Sequence, residues 1–191
     1  MKNNKRDNCI NKMRNIVLII GVLSFFLASC SESIKTKEVT IDNVATIEVS
    51  DRLLPAKNLN KEAILQMEDK KDDFYMVIVE DNKVEFQQLV EEVYGNPTPD
   101  FKIYAELANS SISTSLNLKQ EASLEQTNVN GLSAYLTSYD GDLNETPVHY
   151  KLACIEGKDR YYQIVTWTTM TKKKKYENAM TSMLESFKEK K

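Results

Sequence analysis

Apolar residues in the first 80 positions fall into four groups separated by polar or turn-forming stretches. The first group is the twelve-residue run Ile16–Leu27. The other three have the length and composition of β-strands and lie at Ala45–Ser50, Ala63–Glu68 and Phe74–Glu80. The segment Phe74–Val79 is apolar on both alternating sides. This pattern is typical of a strand inside a sheet that is covered on both faces.

Helical spacing replaces strand spacing after residue 83. Apolar residues recur there at intervals of three and four, first at Phe86, Leu89, Val90, Val93 and Tyr94. Gly95 and Asn96 favour a left-handed stop after this helix. A second stripe consists of Phe101, Tyr104, Ala105, Ala108 and Ile112. The sequence Thr98-Pro99-Asp100 predicts the start of this second helix, with Thr98 as its N-cap and Pro99 in the first helical position.

Four further strands and one helix are predicted in the second half of the chain. The strands lie at Glu121–Asn128, Leu132–Tyr139, Val148–Glu156 and Arg160–Thr168. The first of them has polar residues on one side, as expected of an edge strand. Their connections are short enough for antiparallel hairpins and contain Asn130-Gly131, Asp140-Gly141 and Glu156-Gly157. The last helix begins near Thr171 and carries an apolar stripe of Tyr176, Met180, Met183, Leu184 and Phe187.

This order of elements predicts an α+β fold. It is a helix-sheet-helix sandwich in which a mostly antiparallel, twisted sheet carries helices on both faces. The arrangement resembles the PsbP-like (Mog/PsbP) superfamily, and the segments that carry the resemblance are Asn130–Tyr135, Arg160–Trp167 and Ser186–Lys188. The resemblance covers about residues 40 to 189. It implies this fold and a non-enzymatic binding or assembly role, since most members of the superfamily have such roles.

The leading segment predicts secretion. Residues 1–15 carry five basic residues against the single acid Asp7, and the run Ile16–Leu27 follows directly. A membrane-spanning helix needs about 20 apolar residues, so this shorter run indicates a cleaved signal. The run ends in Leu27-Ala28-Ser29-Cys30, which resembles the lipobox of bacterial lipoproteins. Small side chains at positions 28 and 29 suit a signal peptidase, and a cysteine thiol is nucleophilic enough to take up diacylglycerol.

We therefore expect residues 1–29 to be removed by cleavage between Ser29 and Cys30, and Cys30 to carry the lipid. Two or more acyl chains give a stable membrane anchor. Residues 30–39 would form a flexible tether and residues 40–191 the folded domain. Ser31 stands where an aspartate favours inner-membrane retention in enteric bacteria. The expected location is thus the outer membrane rather than the inner membrane, with the domain facing the periplasm or the cell exterior.

Charge and cysteine content narrow the possible roles. Without the signal, 20 basic residues stand against 27 acidic ones, which gives a formal charge of −7 on 162 residues. This balance argues against nucleic acid as a partner, and the length suits one domain. Cys9 leaves with the signal and Cys30 is lipidated, so Cys154 is left alone and no intramolecular disulfide can form.

Few residues offer catalytic or metal-binding chemistry. His149 and Cys154 lie five residues apart in one predicted strand, so their side chains point to opposite faces and cannot act as base and nucleophile. Cys154 is expected to be buried. The segment Asp140–Asn144 has oxygen ligands at positions 1, 3 and 5 of a calcium loop, but Glu145 and Lys151 stand where that loop needs glycine and glutamate. A hairpin turn is therefore favoured there, and neither a metal nor a cofactor is expected.

Two groups of residues are candidates for a binding surface. Lys172, Lys173, Lys174 and Lys175 lie at the start of the last helix, where they oppose the helix dipole. They form either a site for an anionic group of a lipid, glycan or partner, or a solvated charged turn. Tyr161, Tyr162 and Trp167 share one strand, with Tyr162 on the opposite face from the other two. They line a ligand cleft or partner surface, or they pack in the core.

Three functions remain open from the sequence. The favoured one is a membrane-anchored, non-catalytic binding or assembly module for an envelope protein or a ligand. The second is a carrier of a small molecule or lipid, with a pocket between the sheet and the helices. The third is an envelope enzyme that uses carboxylates for acid and base chemistry, because the sole histidine has no evident partner in the sequence.

Overall fold

The computed structural model describes residues 34–95, 100–118 and 120–190. Its largest sheet is antiparallel and contains β3 (Leu54–Pro55), β4 (Ala63–Asp69), β5 (Phe74–Asn82), β6 (Glu125–Val129), β7 (Leu132–Leu143), β8 (Thr146–Glu156) and β9 (Arg160–Thr169). The order across this sheet is β3-β4-β5-β9-β8-β7-β6. The polar strand β6 lies at an edge and the apolar strand β5 lies inside the sheet, as the sequence predicts.

Three helices cover the two faces of this sheet. They are α1 (Lys83–Tyr94), α2 (Phe101–Ser115) and α3 (Lys173–Glu185). α1 and α2 pack on one face, here called the α2 face, and α3 packs on the other, here called the α3 face. The predicted α+β fold with helices on both faces is therefore confirmed.

A second, three-stranded sheet shares the core of the α3 face. It contains β1 (Thr36–Ile41), β2 (Ala45–Ser50) and β10 (Lys188–Glu189), in the order β1-β2-β10. Ile41 and Ile47 from this sheet are buried in one cluster with Phe187 and the apolar side of α3. Strand β1 begins at Thr36 and Ile34 already packs on this core, so residues 34–39 belong to the folded part, although the sequence predicts a tether up to residue 39. The reason is that β1 is largely polar and is held by main-chain pairing with β2, which leaves no apolar pattern to read.

The last helix differs from its predicted form at both ends. A 3₁₀ turn, Met170–Lys172, includes the predicted start near Thr171, and the N-cap residue of the helix, Lys172, makes no side-chain capping bond. Phe187 lies beyond the helical residues, between α3 and β10, rather than on the helix itself. It is nevertheless fully buried, because the chain turns back there towards β2.

The first two helices also depart from the sequence expectations. In α1, Val90 is buried and Phe86 partly buried, but Leu89 and Val93 are 58% and 60% exposed. The cause is that α1 contacts the sheet mainly through β5, which covers only one side of its apolar stripe. α2 begins one residue after Asp100, whose carboxylate accepts a hydrogen bond from the Ile103 amide at 3.0 Å. Asp100 is therefore the N-cap, while the predicted cap, Thr98, lies outside the described residues.

Two of the three hairpins in the second half turn on residues with positive φ. Asn130 and Gly131, at 50° and 93°, connect β6 to β7 as predicted. The turn from β7 to β8 is at Asn144 and Glu145, at 49° and 67°, and not at Asp140-Gly141. The sequence favours a hairpin turn over a calcium loop in this region, and the hairpin is present, although its turn is shifted towards the C-terminus.

Gly141 has a different role from the predicted one, because it lies within β7. A Cβ atom at this position would come within 2.9 Å of the Leu118 side chain and 3.1 Å of the Leu116 carbonyl oxygen. The glycine thus allows the segment that follows α2 to lie close against the strand. The sequence does not distinguish this role from that of a turn residue, because both require the absence of a side chain.

Candidate functional site

The lysines at the start of α3 are mostly engaged with two aspartates of the sheet. Lys172 and Lys175 both donate to Asp72, Lys172 at 3.1 Å. Lys173 donates to Asp140 at 2.7 Å. Lys174 is exposed to solvent. These carboxylates offset the unfavourable position of the lysines at the positive end of the helix dipole. The proposed anion or partner surface at residues 172–175 stays a prediction. Lys174 is the one of the four lysines that contacts neither aspartate in this geometry.

Asp72 is the centre of a buried polar cluster. Its carboxylate also accepts a hydrogen bond from the Tyr176 hydroxyl at 2.5 Å and forms an ion pair with Arg52 at 2.8 Å, and the residue is only 6% exposed. Hydrogen bonds from Lys175 and Tyr176 hold the pKa of Asp72 far below its ordinary value, against the opposing effect of burial. Asp72 therefore stays ionised and cannot serve as a proton donor near neutral pH.

Asp140 and His149 form a second polar contact on the α3 face. Asp140 Oδ1 lies 2.6 Å from His149 Nδ1, and the two residues face each other across β7 and β8. Burial tends to raise the pKa of Asp140, but hydrogen bonds from Lys173 and His149 hold it below its ordinary value. His149 is only 1% exposed. The His149 imidazole is too deeply buried to reach a substrate, although the Asp140 side chain is 47% exposed, so the geometry of the pair is that of a structural contact.

Cys154 lies in the core of the α2 face, opposite to His149, as expected from their spacing. Burial raises its pKa well above the ordinary value for a thiol, which keeps it protonated and unreactive. Cys154 and His149 therefore do not form a base and nucleophile pair. Among the described residues, no group of three or more His, Cys, Asp or Glu side chains is arranged to hold a metal ion.

The structure separates the three aromatic candidates of β9. Tyr162 points into the core of the α3 face and packs on Phe187, with ring centroids 4.8 Å apart. Tyr161 points into the core of the α2 face and packs on Tyr104 at 4.6 Å. Both residues are almost fully buried, so only Trp167 has a surface that a ligand or partner can contact.

Trp167 forms the centre of a row of three stacked rings on the α2 face. It lies directly across from Tyr75 of β5 and Tyr150 of β8. The ring centroids are 5.2 Å and 5.4 Å from that of Trp167, and the planes are inclined by only 17° and 12°. We call these residues the aromatic row. Tyr75 and Tyr150 were missed in the sequence because their position beside Trp167 depends on strand register.

A surface cleft of about 410 Å³ adjoins the aromatic row. Its apolar lining comes from Leu59, Leu143 and Val148 together with Tyr75 and Trp167. The polar lining comes from Asp73, Asn144, Thr146, Thr168 and Thr169. Partly buried aromatic side chains beside polar groups are typical of sites that bind ligands or partners. We call this the Trp167 cleft.

The predicted signal and the lipidation site at Cys30 lie outside the described residues. Cleavage between Ser29 and Cys30 therefore stays a prediction. Within the part of the chain that the structure describes, no helix is both long enough and apolar enough to cross a membrane.

The architecture is an α+β fold of the PsbP-like kind. The structure is similar to that of the cyanobacterial PsbP, CyanoP, of Synechocystis sp. PCC 6803, with a TM-score of 0.57, 10% identity, and coverage of 86% of this chain and 99% of CyanoP. It is also similar to LpqN of Mycobacterium tuberculosis, with a TM-score of 0.50, 14% identity, and coverage of 84% and 93%. No protein-family model and no curated protein matches the chain. At these identities the similarity establishes the fold alone.

Proposed function

We propose that this protein is a lipid-anchored, non-catalytic binding module of the cell envelope, and that the Trp167 cleft contacts its partner. The observation that carries the proposal is the aromatic row, a half-buried Trp held between two tyrosines beside an apolar cleft. Tyrosine and tryptophan are enriched at protein interfaces and contribute much of their binding energy. The partner is expected to be another envelope protein.

Two further observations support this proposal. The anchor follows from the lipobox-like sequence Leu27–Cys30 and its apolar leader. LpqN, whose fold is similar, is described as involved in cell envelope biogenesis. Both support the proposal of an activity at the cell envelope, where a tethered domain could reach membrane proteins.

The alternative of an envelope enzyme has less support. Asp72 and Asp140 are the aspartates whose pKa is lowered, and both are held by lysines. A carboxyl group that acts as a general acid needs a raised pKa instead. Neither aspartate therefore suits proton donation near neutral pH.

A small-ligand carrier is the second candidate, because the volume of the Trp167 cleft falls in the range of ligand sites, about 300 to 1,000 Å³. The interlayer pocket that the sequence suggests has less support. Large side chains such as Tyr162, Phe187 and Leu152 fill the spaces on the two sides of the main sheet. A carried ligand would therefore bind at the surface cleft.

The test is a comparison of partner recovery from native membranes. The full-length, lipid-anchored protein is cross-linked in cells and purified as the wild type, as Trp167→Ala and as Leu89→Ala. Leu89 is an exposed apolar residue of α1 and serves as the matched control. We expect a defined envelope protein with the wild type and the control, and recovery reduced about tenfold or more with Trp167→Ala.

A second variant distinguishes loss of the contact surface from loss of the fold. Thr146 is an exposed cleft residue, so Thr146→Arg fills the cleft without disturbing the core. Equal recovery from all variants, or no protein partner at all, would overturn the proposal. A small molecule seen by native mass spectrometry on the wild type but not on Thr146→Arg would establish the carrier instead.

A further inference from the structure

Strand β6 leaves one edge of the main sheet without a neighbouring strand among the described residues. Its only partner is β7, and Glu125, Gln126, Thr127 and Asn128 are all exposed. The two-residue turn at Asn130 and Gly131 is closed by the pair Val129 and Leu132. In such hairpins the closing pair is hydrogen-bonded. Along the rest of the strand, hydrogen-bonded pairs alternate with pairs that are not hydrogen-bonded. The main-chain groups of Gln126 and Asn128 consequently point away from β7.

The chain before β6 is fixed in place. The Ala122 carbonyl accepts a hydrogen bond from Asn109 Nδ2 at 2.8 Å, and the Tyr139 hydroxyl donates to Asn109 Oδ1 at 2.6 Å. Asn109 is 4% exposed, so α2 and β7 hold this segment from within the core. A fixed edge loses little conformational entropy when another strand pairs with it.

Two surface clefts flank this edge on opposite faces of the sheet. One, of about 340 Å³, lies on the α3 face and includes Glu125 and Thr127. The other, of about 640 Å³, lies on the α2 face and includes Leu124. Ala122 and Ser123 line both clefts and form the ridge between them. An added strand places its side chains alternately on the two faces, so each cleft would receive every second residue.

The two clefts differ in chemistry. The cleft on the α3 face carries the exposed carboxylates of Glu125 and Glu185, which form none of the ion pairs found among the described residues. Its one cation, Lys151, donates to Thr181 at 2.6 Å. The lining of the other cleft includes Lys102, Glu106 and Glu121, of which Lys102 and Glu106 form an ion pair at 3.4 Å, but the larger, apolar part of its surface comes from Ile103, Leu107, Leu124 and Tyr135. One cleft therefore suits basic side chains and the other suits apolar ones.

We propose that the free edge of β6 binds an extended segment of a partner protein in which basic and apolar side chains alternate. This inference rests on the proposed function, since it adds a second contact surface to the same binding module. The free main-chain groups of Gln126 and Asn128 supply pairing, while the two clefts supply specificity. A second copy of this chain is less suitable, because the formal charge of −7 expected for the mature protein opposes self-association.

The test uses a defined peptide and the full-length lipidated protein in non-ionic detergent. The probe is a fluorescently labelled peptide of eight residues, alternately Arg and Val, with blocked ends. Fluorescence anisotropy should show binding of this peptide and at least about tenfold weaker binding of a block peptide with four Arg followed by four Val. Because the two peptides have the same charge and composition, the difference reports the alternation itself.

Matched variants separate pairing from charge. Gln126→Pro removes an outward N–H and is tolerated at an edge strand, so it should abolish binding while the melting temperature is retained. Glu125→Gln with Glu185→Gln should weaken binding about tenfold and reduce its dependence on salt. The control, Glu91→Gln with Glu92→Gln, makes the same charge change on exposed residues of α1 and should bind as the wild type does.

Three outcomes would overturn the inference. They are no binding of the alternating peptide, equal binding of the block peptide, and unchanged binding by Gln126→Pro. Dimerisation of the wild type that Gln126→Pro abolishes would assign the edge to a second copy. The two proposals can also fail separately. If the peptide does not bind but Trp167→Ala still loses its membrane partner, the proposed function stands and only this inference is wrong.

Discussion

Asp72 forms ion pairs with three basic side chains near the start of α3. It joins the turn between β4 and β5 to the helix through Lys172, Lys175 and Tyr176, and to the chain after β2 through Arg52. A buried carboxylate with this many donors contributes to stability as long as it is ionised. Its loss would leave several donors without their shared partner.

The first prediction follows from the lowered pKa of Asp72. In the unfolded chain an aspartate takes up a proton near pH 3.9. The folded protein binds that proton only at lower pH, so acid favours the unfolded state. Asp72→Asn should lower the free energy of unfolding by about 1.5 to 3 kcal/mol at pH 7. The gap to the wild type should shrink as the pH falls below about 4.

Urea denaturation between pH 7 and pH 3 measures this difference. Asp51→Asn changes an exposed aspartate and should leave the free energy of unfolding nearly unchanged. A gap between wild type and Asp72→Asn that stays constant over the whole pH range would contradict the prediction.

The second prediction concerns Phe187. This residue is fully buried against Tyr162 although it lies outside the helix that sequence periodicity assigns to it. Phe187→Ala should lower the free energy of unfolding by about 3 to 5 kcal/mol, because it leaves a cavity in the core of the α3 face. Leu54→Ala, at a residue that is 62% exposed, should change it by less than about 0.5 kcal/mol. Similar melting temperatures for both variants would show that Phe187 is not docked.

At the scale of elements, α3 is fastened to the sheet at both of its ends. Asp72 and Asp140 hold its first turn. At its other end, the Asn130 side chain donates to the Glu185 and Phe187 carbonyl oxygens at 2.9 Å and 2.8 Å. A turn residue of one hairpin thus satisfies carbonyl groups at and beyond the end of a helix.

The third prediction tests this fastening. Asn130→Gly keeps the positive φ of the turn but removes both hydrogen bonds, so it should lower the free energy of unfolding by about 1 to 3 kcal/mol. Asn144→Gly is the matched control, since Asn144 has nearly the same φ and makes no side-chain hydrogen bond among those described. Chemical denaturation should separate the two variants. Equal effects would mean that only the turn conformation matters.

At the scale of the whole molecule, the chain combines an expected membrane anchor with a domain that has a core on each side of its main sheet. The Trp167 cleft lies on the α2 face and the free edge of β6 borders both faces.

The fourth prediction concerns the anchor. Cys30→Ala removes the thiol that would carry the lipid, so the protein should move from the membrane fraction to the soluble or unprocessed fraction. Cell fractionation with metabolic fatty-acid labelling measures the change. Cys154→Ala is the control and should remain in the membrane, because this thiol is buried in the core. Unchanged labelling of Cys30→Ala would refute the lipid anchor.

Much of the fold is encoded in local periodicity. The apolar runs of β2 and β5 and the stripes of α2 and α3 are set by neighbouring residues, and these elements lie close to their predicted bounds. The short strands β1, β3 and β10 escaped prediction because their pairing uses main-chain groups rather than an apolar pattern. The exposure of Leu89 and Val93 escaped prediction for a related reason, since a periodic stripe does not reveal how much of it another element covers.

The sequence by itself determined the α+β class, the order of most elements and the expected lipid-anchored address, because each depends on residue types that lie close together in the chain. Only the tertiary structure decided which polar and aromatic residues meet. Asp72 lies about 100 positions from Lys172 and Tyr176, and Tyr75 lies far from Trp167 along the chain. The pairing of strands that are distant in sequence and the packing of helices bring these residues together, and no local pattern specifies either.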